Sequence, residues 1–214
     1  MSLNIKQKPN AIIFDWDNTL ADSWPVIEKS YNQTAHEMGY PDFSMDEVKY
    51  KIGYALRHSF PKIFGDQADL AMETYRKHYY KNRENNLKLL PHASELILHL
   101  TEKEIPLFIV SNKIGTSLRD ETEILKVNHY FRNIIGSLDT DHDKPHTAPV
   151  ELVLENHDYS DSDEILFIGD SIVDYECAKN VGFTPIIVHA DDNVKKQASD
   201  AHIYDSLAEL IEII

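Results

Sequence analysis

The chain has 214 residues, 42% of them hydrophobic and 10% aromatic, with 36 acidic against 21 basic side chains and a formal net charge of −15. That composition describes a globular chain rather than a disordered one, large enough for a sizeable core with or without a smaller insert. The charge argues against nucleic-acid and anionic-membrane partners, and it requires any anion site to be built locally. The lone Cys177 permits no internal disulfide and suits a reducing compartment. The opening residues carry charge and no apolar segment, so no secretory leader is expected, and a cytoplasmic location is.

In chain order, Ala11-Ile12-Ile13-Phe14 is a short apolar run of the kind that forms a buried strand. It leads into Asp15-Trp16-Asp17-Asn18-Thr19-Leu20. Residues i and i+2 of a strand share a face, so Asp15 and Asp17 are expected to lean the same way. Two neighbouring carboxylates repel unless a cation or a proton intervenes. After Leu20, Ser23 is a candidate helix cap with Pro25 in the first turn. The periodicity predicts a helix over 24–38 with Gly39 as its stop, a second from Ser44 to Tyr50 with Ser44 and Glu47 at capping-box spacing, and a third from Leu56 to Pro61 after a break at Gly53. A long helix follows from Asp66 to about Asn85. Nothing from Pro25 to Asn86 reads as a strand, so residues 22–87 are expected to form an inserted helical domain between core segments 1–21 and 88–214.

From Leu87 onward strands and helices alternate. Pro91–Lys103 is an amphipathic helix, and Leu107–Val110 is an apolar strand ending at Ser111-Asn112. After a helix to about Val127, Ile134–Ser137 forms a weaker strand. A polar loop from Asp139 to Pro145 holds Lys144, and Ala148–Asn156 is helical. Ile165–Ile168 is a strand ending at Gly169-Asp170-Ser171, followed by a helix from Asp174 to Val181 with Gly182 as its stop. Thr184–Val188 is the last strong strand, and Leu207–Ile214 closes the chain as a helix. This alternation predicts an α/β fold, with a doubly wound, mostly parallel sheet covered by helices on both faces.

Three of these strands end in Asp15/Asp17, Ser111/Asn112 and Asp170, with Lys144 in the loop between two of them. Open parallel sheets place ligand sites at the carboxyl ends of their strands, so these groups are expected to converge. Asp141-His142-Asp143 and Asp161-Ser162-Asp163 repeat the Asp-x-Asp pattern in polar loops and read as solvated carboxylates. The eleven histidines form no ligand pattern, and Tyr75, Tyr79 and Tyr80 read as packing on the long helix.

Asp15-Trp16-Asp17-Asn18-Thr19-Leu20, Ser111-Asn112, Lys144-Pro145 and Gly169-Asp170-Ser171-Ile172-Val173-Asp174, in that order, resemble the four motifs of the haloacid dehalogenase-like hydrolase superfamily. The match is to its phosphoglycolate-phosphatase-like members, which have a Rossmann-like core and a helical cap inserted after the first strand. Asn18 stands where many of these phosphatases have Gly, and Asn tolerates positive φ.

The resemblance implies a phosphomonoester hydrolase that forms an aspartyl-phosphate on Asp15. Asp17 would protonate the leaving oxygen and then take a proton from water, so it must start protonated while Asp15 is ionised. Ser111, the Asn112 backbone and Lys144 would grip phosphoryl oxygens. Mg2+ would be held by the Asp15 carboxylate, the Asp17 carbonyl and Asp170, with Asp174 further out or through water. The expected partner is a small phosphorylated metabolite, and the protein is expected as a monomer or homodimer. Lys49, Lys51, Arg57 and His58 form a basic cluster in the insert, from which Arg57 is a candidate for the substrate's non-reacting end. Ala21–Trp24 are candidates for a hinge. A phosphomutase of the same superfamily and a non-catalytic binding protein on this fold are the alternatives.

Overall fold

The computed structural model describes residues 8–52, 55–160 and 164–214. The turn expected at Gly53 and the Asp161–Asp163 loop lie outside them. The chain divides into two compact units: one runs up to Ala21 and resumes from Leu89 to Ile214, and the other is Asp22–Lys88.

The first unit is built on a six-stranded parallel sheet. Its strands are β1 (Ala11–Phe14), β2 (Leu107–Ile114), β3 (Asn133–Ser137), β4 (Ile165–Gly169), β5 (Thr184–Val188) and β6 (His202–Tyr204), in the order β3-β2-β1-β4-β5-β6. The sequence reading missed β6, whose three residues are too few to show alternation. β1 lies in the middle, and every one of its side chains is fully buried. Burying a residue such as Ile12, Ile13 or Phe14 contributes about 1.5–3 kcal/mol, which anchors the segment that ends at Asp15. Ala11 and Ile13 pack with Phe108, Val110 and Phe167 against Val150 and Val153 on one side of the sheet and Cys177 and Ala178 nearby. Burial pushes the Cys177 thiol up to about 12, which leaves it an inert core residue.

The helices of this unit are α5 (Ala93–Glu102), α6 (Gly115–Ile124), α7 (Ala148–Val153), α8 (Ile172–Val181), α9 (Asp192–Gln197) and α10 (Leu207–Ile213). Leu96, Ile97 and Leu100 form the buried stripe of α5, as their spacing predicts. Gly182 ends α8 at φ +79°, the left-handed stop that glycine favours. Helix α9 was not foreseen: it is six residues long, with Asp191 accepting bonds from the backbone N–H groups of Asn193 and Val194.

The second unit has helices and no strand among its described residues: α1 (Trp24–Glu37), α2 (Met45–Ile52), α3 (Leu56–Phe64) and α4 (Ala68–Asn86). Its core holds Tyr31, Phe60, Phe64, Tyr75 and Tyr79, so Tyr75 and Tyr79 are packing residues. The Ser44/Glu47 capping box forms, with the Ser44 N–H 2.8 Å from Glu47 Oε2 and the Glu47 N–H 3.4 Å from Ser44 Oγ. Gly39, at φ +79°, closes α1 with the paired bonds of a Schellman stop: its N–H reaches His36 and the Tyr40 N–H reaches Ala35.

Two local expectations fail here. Ser23 occupies the cap position of α1, but its hydroxyl makes no capping bond and its backbone is itself near helical. A cap side chain reaches the first-turn N–H groups from an extended backbone, which Ser23 lacks. Helix α3 also runs three residues past Pro61, because Pro61 falls inside an apolar stripe whose burial of Phe60 and Phe64 outweighs one lost backbone bond.

The chain passes between the units on two adjacent segments. In the sheet unit the Leu90 N–H donates to the Leu20 carbonyl at 2.8 Å, and in the helical unit the Asp22 N–H donates to Lys88 at 2.9 Å. The helical unit therefore closes at Lys88, one residue later than the composition suggested. Among the described residues no helix is long and apolar enough to cross a membrane.

Candidate active site

Register brings the motif residues together. Phe14 pairs with Ile109 on one side and Ile168 on the other, so Asp15 follows at the level of Val110 and Gly169. Ser111 and Asp170 each come one residue further along. Asp15 and Asp170 thus stand just past the carboxyl ends of β1 and β4, beside Ser111 in the second half of β2, where the sheet order reverses about β1.

β2 does not stop at Val110 as its apolar run suggested. It continues to Ile114 through an irregularity: Val110 pairs with Ile135 and Ile114 with Ser137, so four steps along β2 match two along β3. The surplus residues bulge out of the ladder, and the bulge carries Ser111, Asn112 and Lys113. Ser111 is buried, and its hydroxyl accepts the Lys113 N–H at 3.3 Å. It caps no helix, since α6 begins only at Gly115.

Lys144 comes from the loop before α7 and is only 4% exposed. Its Nζ lies 2.6 Å from Asp15 Oδ1 and 2.6 Å from Asp174 Oδ1. Asn112 fixes the loop that delivers it: the amide Nδ2 donates to the Lys144 carbonyl at 3.0 Å, and the Lys144 N–H donates to Asn112 Oδ1 at 2.9 Å. The following Lys144–Pro145 peptide is cis. Burial alone would lower the Lys144 pKa, but the Asp15 and Asp174 carboxylates outweigh it and hold the ammonium above the ordinary lysine range.

Asp174 does two things at once. At the third position of α8 its Oδ2 accepts the Ser171 N–H at 3.1 Å and the Ser171 hydroxyl at 2.6 Å, completing a capping box, while Oδ1 faces Lys144. The residue is buried. Gly169 makes room for it, since a Cβ at Gly169 would overlap the Cβ and carboxyl carbon of Asp174.

Asp15, Asp170 and Asp174 offer carboxylate oxygens that all lie within 4.8 Å of one another. Burial pushes the Asp15 carboxyl up to about 6 against the pull of Lys144, with repulsion from Asp174 and Asp17 adding to the rise. Burial, then Asp174 and Asp15, raise Asp170 well above the carboxylate range. Three converging carboxylates with one ammonium among them form an oxygen-only donor set with surplus negative charge, which fits a hard divalent cation. Lys144 alone therefore does not hold Asp15 at an ordinary carboxylate pKa.

Asp17 is not a member of that cluster. Its Oδ1 lies 2.9 Å from Lys113 Nζ, so each carboxylate of the Asp-x-Asp pair has its own lysine. Lys113 was missed in the sequence, where it reads as one more lysine at the polar end of a strand. Asn18 adopts φ +62°, the conformation that its place in the turn requires. The Thr19 hydroxyl lies 3.5 Å from Asp15 Oδ2.

Lys49 Nζ lies over the Trp24 ring and Lys51 Nζ over Phe43, at 5.3 and 4.9 Å from their centroids. Arg57 is half-buried at the second position of α3, in the helical unit. His142 and His146 stack with centroids 4.2 Å apart in the Lys144 loop.

A family model described as haloacid dehalogenase-like hydrolase matches residues 12–188. The chain is 31% identical to a phosphoglycolate phosphatase of Aquifex aeolicus over 80% of each chain. It is 27% identical to the pyrophosphatase PpaX of Oceanobacillus iheyensis over 95% of each. A solved haloacid dehalogenase-like hydrolase of Streptococcus pneumoniae superposes with a TM-score of 0.83 at 25% identity, covering 96% of this chain and 98% of the other. The chain belongs to the haloacid dehalogenase-like hydrolase family.

Proposed function

We propose that this protein is a Mg2+-dependent phosphatase of small phosphorylated metabolites that works through an aspartyl-phosphate on Asp15. The observation that carries this reading is the convergence of Asp15, Lys144, Asp170 and Asp174 at the ends of neighbouring strands.

The chemistry follows from the groups present. An Asp15 oxygen attacks phosphorus, forming a P–O bond as the bond to the leaving oxygen breaks. Asp17 gives its proton to that oxygen. Water then attacks phosphorus, Asp17 takes a proton from it, and the bond to Asp15 breaks to release phosphate. With its pKa near 6, Asp15 is largely ionised at about pH 7.5, as a nucleophile must be. Ser111, the Asn112 backbone and Lys144 hold the phosphoryl oxygens. Mg2+ would be held by the carboxylates of Asp15 and Asp170 and the carbonyl of Asp17, with Asp174 further out. When bound, it supplies the positive charge that lets a phosphate dianion approach a carboxylate in a chain of net charge −15.

The helical unit, Asp22–Lys88, serves in this proposal as the insert that selects the leaving group, with Arg57 contacting the non-reacting end of the substrate. The named relatives suggest the first compounds to try, 2-phosphoglycolate and pyrophosphate. Phosphate release is measured with Mg2+ and with EDTA, using wild-type protein and Asp15→Asn. Metal-dependent release that disappears in Asp15→Asn supports the proposal. Metal-independent release, or full activity in Asp15→Asn, contradicts it.

A further inference from the structure

Asp17 has no place in the cluster of carboxylates around Lys144, yet the proposed reaction needs its carboxyl held against the leaving oxygen. The side chains that surround it form a closed ring. Lys113 Nζ lies 2.9 Å from Asp17 Oδ1 and 3.5 Å from Glu121 Oε1. The other oxygen of Glu121 accepts the Trp16 indole N–H at 2.9 Å. Trp16 is the chain neighbour of Asp17, so the circuit returns to the backbone that carries it.

Nothing about this ring resembles a surface ion pair. Trp16 and Glu121 are fully buried, and the Lys113 side chain is 8% exposed. A buried Glu is costly unless its charge is met, and here an ammonium and an indole N–H meet it. The ring also uses devices that fold stability does not need. The β2 bulge presents Lys113, and Glu121 occupies the buried stripe of α6 beside Leu118 and Thr122. An apolar residue would serve packing there as well or better.

We propose that Lys113 and Glu121 are positioning residues that hold the carboxyl of Asp17 in its working orientation. Lys113 fixes Asp17, Glu121 fixes Lys113, and the Trp16 indole fixes Glu121 from the backbone of the same turn. Because Glu121 balances the charge of Lys113, the pair presents Asp17 with a close ammonium contact and little net charge. Catalysis by an acid–base group depends on such placement, and small displacements are costly. The inference rests on the proposed acid–base role of Asp17.

The test compares kcat/KM for two substrates, an alkyl phosphate, whose leaving oxygen needs a proton, and 2,4-dinitrophenyl phosphate, whose leaving group needs none. In Asp17→Asn the alkyl substrate should suffer far more, so the ratio of dinitrophenyl to alkyl kcat/KM rises. Lys113→Met should raise the same ratio by about 10-fold or more, within the range that general acid catalysis contributes. Lys113→Arg, which restores a cation of similar reach, should recover most of it. Lys113→Met leaves Glu121 buried without its cation, so the double variant Lys113→Met/Glu121→Gln is measured alongside, and it should raise the ratio as well.

Equal losses on both substrates in these variants, or no loss on either, overturn the positioning role while a raised ratio in Asp17→Asn leaves the phosphatase reading standing. Should Asp17→Asn itself lose both activities equally, the acid role of Asp17 fails and the inference fails with it.

Discussion

Asn112 and Lys144 hold each other by their polar groups across 32 residues of chain. The Asn112 amide donates to the Lys144 carbonyl, and the Lys144 N–H donates back to the Asn112 side chain. The amide of the second motif thus imitates a strand partner for the third. It places the loop so that the Lys144 ammonium reaches both Asp15 and Asp174. Asn112→Ala removes both bonds and leaves the Lys144 backbone groups without them. The expected cost is about 1–3 kcal/mol of stability together with a fall in kcat of at least about 10-fold from the displaced ammonium. Thermal melting and steady-state kinetics read the two effects separately. Loss of stability with unchanged kcat would show that the pair holds the loop without serving the reaction.

Lys144→Met tests the ammonium itself. The variant leaves Asp15 and Asp174 buried without their shared cation, and breaking a buried pair costs about 3–5 kcal/mol. A metal-free variant should therefore melt about 10 °C or more below wild type at neutral pH, with the gap narrowing in acid as the carboxylates take up protons. An unchanged melting temperature would contradict the close contacts seen here.

Asp170 gives the opposite sign. Burial, with Asp174 and Asp15, raises its pKa, so the folded protein holds its proton more tightly than the unfolded chain does. The stability this contributes is complete below the ordinary carboxylate pKa and is lost as pH rises through the folded value. In metal-free protein at about pH 7.5, Asp170→Asn should melt a few degrees above wild type, and the two should converge toward about pH 4. Added Mg2+ should reverse the order by stabilising wild type alone. A metal-free Asp170→Asn that melts below wild type at about pH 7.5 would contradict the crowding of carboxylates.

Arg57 is tested by affinity. Arg57→Ala should raise KM about 10-fold for a phosphomonoester that carries a second anionic group, while leaving a neutral-tailed substrate unaffected. An unchanged KM for the dianionic substrate removes Arg57 from the binding role.

The sheet and its strand ends were legible in the sequence because β1, β2 and β4 are apolar runs that stop at polar residues, and parallel topology sends such stops to one edge. Asn18 was legible for a related reason, since few residues other than glycine reach its φ. Local pattern failed where distant contacts decide. Pro61 reads as a helix end, but packing of Phe60 and Phe64 carries α3 past it. Ser111-Asn112 reads as the end of β2, but the register against β3 continues the strand beyond them. Lys113 gave no local signal because Asp17 is far away in sequence and Glu121 meets it only once α6 has formed. Two hints were present: a tryptophan between two aspartates, and a glutamate on the buried stripe of α6.

The most direct measurement of the central claim is to stop the reaction in acid during turnover of a phosphomonoester and weigh the peptide that contains Asp15. The expected result is a peptide heavier by one phosphoryl group, which hydroxylamine converts to the Asp15 hydroxamate with release of phosphate, and no phosphoryl group on the peptide in Asp15→Asn. Turnover with no phosphoryl group on the protein, or with the label on another residue, would contradict Asp15 as the nucleophile.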